Sequence, residues 1–196
     1  MDALAAVAGI RSLGGERVVT FLGFSDAGYE DEAHARELLL AELETLDPRN
    51  TIVCSGATAQ GIGMVYPLAL RKGFRTAGIV SSRARAEGVQ FSKDCEHVFV
   101  VDDNTWGGKQ TNEHLSSTSQ AMVNASDVMI AIGGGAIARD ELEEGRSNGK
   151  LVRFHKADMN HARAKANAIK EGRPVPRSFC SDAQALFQET CGEEEA

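Results

Sequence analysis

No CxxC pair, no clustered run of lysine and arginine, and no apolar stretch approaching the roughly 18 residues that cross a bilayer occurs in this sequence. Each absence removes a class of answers. The four cysteines, Cys54, Cys95, Cys180 and Cys191, lie far apart, which fits reduced thiols rather than a disulfide framework or a zinc knuckle. With 21 basic against 28 acidic side chains the net charge is -7, so phosphate backbones and anionic lipid surfaces repel the chain. Neither nucleic acid nor membrane is expected as a partner. Met1 to Ile10 has no basic leader and carries Asp2, which points to a soluble, unexported, cytoplasmic protein. GxSxG, HExxH and EF-hand patterns are missing as well. So is a complete P-loop, because Gly107-Gly108-Lys109 runs into Gln110 and Gly149-Lys150 into Leu151.

What is present is an ordinary globular composition, 42% apolar and 25% charged over 196 residues. A chain of this length buries roughly 70% of its unfolded surface and folds without disulfides or a structural metal. No repeat or linker divides it, so one domain is expected over 1–196, with a core at 17–155, a helical extension at 156–190 and an acidic tail at 191–196.

Six short apolar runs read as strands: Val18 to Leu22, Thr51 to Cys54, Thr76 to Val80, His97 to Val101, Val128 to Ile132 and Leu151 to Phe154. Helical patterns lie between most of them, at Ala35 to Leu46, around Tyr66 to Leu70, at Glu113 to Ala125 and at Ala136 to Arg146. Beyond the sixth strand, Met159 to Lys170 is an alanine-rich helical stretch, Arg173-Pro-Val-Pro breaks it, and a short helix is expected at Ser181 to Thr190. Strands that alternate with helices and are apolar throughout must be covered on both faces. The expected fold is thus an α/β, doubly wound, mainly parallel five- to six-stranded Rossmann-like sheet with a C-terminal helical extension.

Three of these strands run straight into glycine-rich loops, Gly23-Phe-Ser-Asp-Ala-Gly28, Ser55-Gly56-Ala-Thr-Ala-Gln-Gly61-Ile-Gly63 and Gly133-Gly134-Gly135-Ala136. In a parallel sheet these loops converge on the edge where open α/β sheets hold ligands. Glycine lets backbone approach a ligand, and the following helix N-terminus offers unpaired N–H groups to an anion. Gly23, Gly56, Gly61, Gly63, Gly133, Gly134, Gly135 and Ala136 are therefore expected to bind phosphate, with Ser25 and Thr58 adding hydroxyl donors. For any one loop, a tight turn explains glycine as well; it is the convergence of three that favours binding. Gly133 to Ala138 also fits GxGxxA, but after the fifth strand instead of the first, which weakens a dinucleotide reading.

The order strand, glycine loop and long helix, then Val53-Cys-Ser-Gly-Ala-Thr-Ala-Gln-Gly-Ile-Gly-Met64 with Pro67-Leu-Ala-Leu-Arg-Lys-Gly73, then Ala125-Ser-Asp-Val-Met-Ile-Ala-Ile-Gly-Gly-Gly135, resembles the LOG-like ("lonely guy") proteins. That superfamily includes the DprA-like and molybdenum-cofactor-carrier-like Rossmann proteins, and the resemblance spans about residues 17 to 155. It implies a nucleotide's phosphate and ribose at this edge, and a homo-oligomer. Against the family's PGGxGTxxE the chain reads Ile132 to Asp140, with the proline, third glycine, threonine and glutamate replaced and Asp140 in the glutamate's place. The family's catalytic arginine has no counterpart in Glu113 to Ala125.

The leading expectation is a binder or sensor of a nucleotide or other phosphorylated small molecule, with no cofactor required and no metal. The alternative is a phosphoribohydrolase-like N-glycosidase in which Asp140 is the catalytic carboxylate beside an oxocarbenium-like transition state. Asp140 also reads as a first-turn acid complementing the helix dipole. Glu141 and Glu144 read as solvated surface acids or partners for basic residues such as Arg146, and the eight carboxylates between Asp26 and Asp47 as a solvated helix face or an interaction surface. Trp106, in a glycine-rich loop after the fourth strand, is placed to stack on a base, or to serve as a lid or subunit contact. A metal site around His155 and His161 lacks any fixed ligand spacing. A nicotinamide dehydrogenase and a purely partner-binding role are the weaker readings.

Overall fold

The computed structural model describes residues 1–111 and 113–188. All six expected strands form, as β1 (Arg17–Gly23), β2 (Thr51–Ser55), β3 (Arg75–Ser81), β4 (His97–Val101), β5 (Val128–Ile132) and β6 (Leu151–His155). They build one fully parallel sheet in the order β4-β3-β2-β1-β5-β6. The helices are α1 (Ala3–Arg11), α2 (Glu32–Glu44), α3 (Val65–Arg71), α4 (Ser82–Ala86), α5 (Ser117–Ala125), α6 (Ala136–Ser147), α7 (His161–Lys170) and α8 (Ala185–Gln188). Among the described residues no helix is long and apolar enough to cross a membrane.

The sheet's period of two sorts its side chains into two cores. Val19 and Phe21 of β1 join Leu39 and Leu43 of α2 and Tyr66 and Leu68 of α3 on one face. Val18 and Leu22 join Ile10 of α1, Met122 of α5 and Leu142 of α6 on the other. Burial on both faces is why β5 is apolar at all five positions.

Two helices were not expected from the sequence. Helix α1 is almost all alanine and small apolar residues, yet Asp2 caps it by accepting the Ala5 N–H at 2.7 Å, and Arg11 pins its other end through a bidentate pair with Asp127. Helix α4 is a five-residue turn capped by Ser81. The third crossover helix begins at Ser117 rather than Glu113. Glu113 has φ +64, outside any helix, while Ser116 caps the true start through the Ser119 N–H. Asp31 and Asn160 likewise start α2 at Glu32 and α7 at His161. The expected Ser181 to Thr190 helix is a 3-10 turn (Asp182–Gln184) followed by α8, and Thr190 and the acidic tail lie outside the described residues.

The acidic stretch is not wholly solvated either. Glu42 is 5% exposed, and its carboxylate accepts from Arg153 at 2.6 Å and lies 2.6 Å from the His155 ring nitrogen, fastening α2 to β6. Leu39, one turn earlier on α2, is fully buried in the first core. Leu39→Ala is expected to cost about 2–5 kcal/mol, read as a lower midpoint in urea unfolding with an unchanged slope.

Candidate functional site

Strand order reverses at β1, which lies between β2 and β5: the chain runs from β1 through β2 and β3 to β4 on one side, then crosses back to β5 on the other, which opens a crevice at the strands' C-terminal ends. Gly23 is paired in register with Ile132, which sets the first and third glycine loops side by side. The second joins them through the Ile62 N–H, which donates to the Phe24 carbonyl at 2.7 Å. The three loops separated in sequence therefore meet on one edge.

Much of their glycine content serves that meeting. A side chain on Gly23 would collide with the Tyr29 hydroxyl, which spans the crevice floor to donate to the Ile132 carbonyl at 3.0 Å. Gly61 has φ +56 and sits against the carbonyls of Phe24 and Ser25, a position only glycine occupies without strain. Gly63 packs on the Thr58 carbonyl, and Thr58 spends its hydroxyl on the backbone of Gln60. Ser25 is exposed at the rim, and Gly56 faces open space.

The Gly133-Gly134-Gly135 loop leads into α6, whose N-cap Gly135 has no side-chain cap and whose first residue, Ala136, is exposed. Ser181 of the C-terminal extension donates to the Gly134 carbonyl at 2.7 Å, bringing the extension across this loop. Between the first two loops and α7 lies a cleft of about 240 Å³, lined by Gly28, Glu32, Gln60, Gly61, Met64 and Arg163 among others. Among the described residues Arg163 is the one basic side chain on its wall, and sequence reasoning did not single it out.

Trp106 is 43% exposed, with the Arg83 guanidinium 5.1 Å from its ring centroid. Its neighbours Gly107 and Gly108 lie against Ile137 in the first turn of α6, so Trp106 stands beside the third glycine loop. Asp103 organises the start of this segment. Burial pushes its carboxyl up, but the N–H groups of Thr118 and Thr105 and the Thr105 hydroxyl outweigh that and hold it down at about 2.

Asp140 is only 5% exposed and is fully engaged. One oxygen accepts the Lys109 N–H at 2.8 Å, and the other takes the Arg139 guanidinium. Glu141, expected in solvent, is instead 4% exposed. Ser119 donates its hydroxyl to Glu141 at 2.6 Å and accepts the Gly108 N–H at 2.8 Å. The signal for its burial was available, because Ala138, Glu141, Leu142 and Gly145 recur at helical spacing on the face of α6 that packs inward. Of the two histidines weighed for metal, His155 lies against Glu42 while His161 stacks on Phe179.

Neither the protein-family models nor the curated proteins contain a match to this sequence. Solved structures do match. TM1055, a structural-genomics target, aligns with a TM-score of 0.51 at 18% identity, over 69% of this chain and 72% of its own. The molybdenum cofactor carrier protein of Chlamydomonas reinhardtii aligns with a TM-score of 0.50 at 15% identity, over 90% of this chain and 99% of its own. A second structure of that carrier gives 0.50 at 14% identity. The fold is Rossmann-like. At these identities the likeness is one of fold.

Desolvation pushes the Glu141 carboxyl up to about 7, against the pull of the Ser119 hydroxyl and with a further push from Asp140. A carboxyl whose folded pKa lies above its unfolded value stabilises fully below about 4.5, and loses that contribution as pH rises through about 7. The gap corresponds to roughly 3 kcal/mol. Thermal scans across this window should show wild type losing stability with rising pH while Glu141→Gln stays nearly flat; parallel curves would reject the assignment.

Proposed function

We propose that the protein is a small-molecule binder that holds a nucleotide or similar phosphorylated ligand at the C-terminal edge of the sheet, between the loops after β1 and β2 and helix α7. The observation that carries this reading is the cleft between the glycine loops and α7, where Arg163 faces backbone at Gly28 and Gly61. Its chemistry suits an anion: a guanidinium is a fork of donors matched to phosphate oxygens, and close backbone adds N–H groups without bulk. The net charge of -7 does not decide the matter, since a site of this size answers to the groups on its own wall, where Arg163 stands against Glu32.

The ribose and base of such a ligand would extend toward Ala136, Ile137 and Trp106. Ile137 and Trp106 are 39% and 43% exposed, an unusual pair of half-open apolar groups at a polar crevice. The hydrolase alternative is less well supported, because it requires a carboxylate free to face the sugar, whereas both oxygens of Asp140 are committed to Lys109 and Arg139.

The test is a thermal-shift and calorimetry panel of inorganic phosphate, nucleoside mono- and diphosphates and nucleotide sugars, with each ligand recovered afterwards and analysed for free base. A ligand at a hundred times its dissociation constant should stabilise the protein by about 2.7 kcal/mol. Arg163→Ala should weaken that ligand about 10- to 100-fold, as expected for a lost charged hydrogen bond. Intact recovery fits a binder; released base would make it a glycosidase; no stabilisation by any member would remove the phosphorylated-ligand reading.

A further inference from the structure

Ala57, the second residue after β2, has φ +54, and among the described residues only Glu113 shares a left-handed backbone without being glycine. Alanine adopts that region about tenfold less readily than the ordinary ones. Ala57 is also fully buried, so its N–H and its carbonyl both need partners. The N–H donates to the Tyr66 hydroxyl of α3 at 2.9 Å, and that hydroxyl donates onward to the Ala77 carbonyl of β3 at 3.2 Å. The carbonyl accepts the Ser92 N–H at 2.9 Å, beside an antiparallel bridge between Thr58 and Phe91. Gly78 of β3 makes the seat, since a side chain there would stand 2.7 Å from the Ala57 methyl.

We propose that Tyr66 is a positioning residue for the cleft, whose hydroxyl holds Ala57 left-handed and so sets the wall of Ala59, Gln60 and Gly61 opposite Arg163. This rests on the reading of that cleft as the binding site. The far end of the loop is tied without Tyr66, by the Ile62 N–H on the Phe24 carbonyl and the Gly63 N–H on the Gln60 carbonyl. The near end is different. Ser92 fixes the peptide plane that follows the Ala57 Cα, and Tyr66 fixes the one that precedes it. The torsion φ is set only when both planes are held.

The preceding plane belongs to Gly56, which has open space around it and offers no resistance to a turn. Without the hydroxyl, the buried Ala57 N–H loses its partner. Turning the Gly56 to Ala57 peptide over then relieves the unpaired group and the left-handed alanine together, and carries residues 59–61 away from Arg163. Burial pushes the Tyr66 phenol well above its usual range, so the hydroxyl keeps the proton that it donates to Ala77.

The test is Tyr66→Phe, which keeps the buried ring, read by residue-resolved amide hydrogen exchange. The Ser92 and Gln60 amides, bonded to the Ala57 carbonyl and the Thr58 hydroxyl, should exchange roughly tenfold faster or more, beyond any change at Phe21 and Ile130 in the sheet. Ala57→Gly separates positioning from general support, because glycine takes φ +54 without strain and has no drive to leave it. Added to Tyr66→Phe, it should return most of the lost protection. Inorganic phosphate and adenosine 5′-monophosphate serve as probes of the cleft. Tyr66→Phe should weaken a bound probe about tenfold, in step with the smaller fraction of competent loop, and the double variant should recover it. Equal changes at all four amides, no change, a double variant no better than Tyr66→Phe, or unchanged affinity for a probe that Arg163→Ala weakens would each overturn the proposal. If neither probe binds the wild type, the ligand reading is what falls, and the exchange pattern alone decides the role of Tyr66.

Discussion

Everything in this molecule depends on β1 being the strand from which the sheet grows both ways. Its two edges are paired to β2 and β5, and its two faces are buried in separate cores, so it has no free surface except its ends. Right-handed crossovers on the two sides of such a strand carry the helices to opposite faces, and the loops after β1 and β5 separate at the C-terminal end. The crevice is therefore a consequence of strand order before any side chain is considered. The Thr20 hydroxyl, 2.6 Å from that of Ser126, and the Val18 N–H, bonded to Asp127, fix β1 against the approach to β5 that makes the order possible.

That origin explains why glycine is dense here without every glycine serving a ligand. Loops leaving neighbouring parallel strands crowd one another where they turn. Gly23 admits the Tyr29 hydroxyl, Gly61 admits two carbonyls, and Gly133 admits the Phe24 ring. Closing the loops on one another rigidifies the crevice floor and leaves the open surface at Gly28, Gly61 and α7. A pre-ordered floor lowers the entropy a ligand must overcome on binding.

The strands and their glycine loops were legible because both signals are local: a strand buried on two faces is apolar at each residue, and a turn that needs glycine has glycine. Helix α1 was not legible, since its alanines make no pattern and its hold comes from Asp127, far away in sequence. The start of α5 was blurred because Leu115 falls on one helical stripe with Ser119, Met122 and Val123 on paper, while the left-handed backbone at Glu113 is a property of the loop returning toward Lys109. Arg163 escaped notice for the same reason. It is one arginine in an alanine-rich helix, and only the docking of α7 beside Gly28 brings it to the cleft.

The acids of α6 show how a departure from a motif acquires a physical cause. A loop built on two adjacent glycines has no side chains to bury, but it still brings backbone N–H groups into a protected place, and those must be paired. Apolar residues on α6 and α5 could not do this. Acceptors are required, and Asp140, Ser119 and, behind Ser119, Glu141 provide them. The short side chain of aspartate at position 140 suits acceptance from a backbone lying directly against the helix, where a longer acid would have to fold back. The acid in the motif's glutamate position thus holds a loop in place, and Glu141, the residue after it, is the one that burial makes responsive to pH near neutrality.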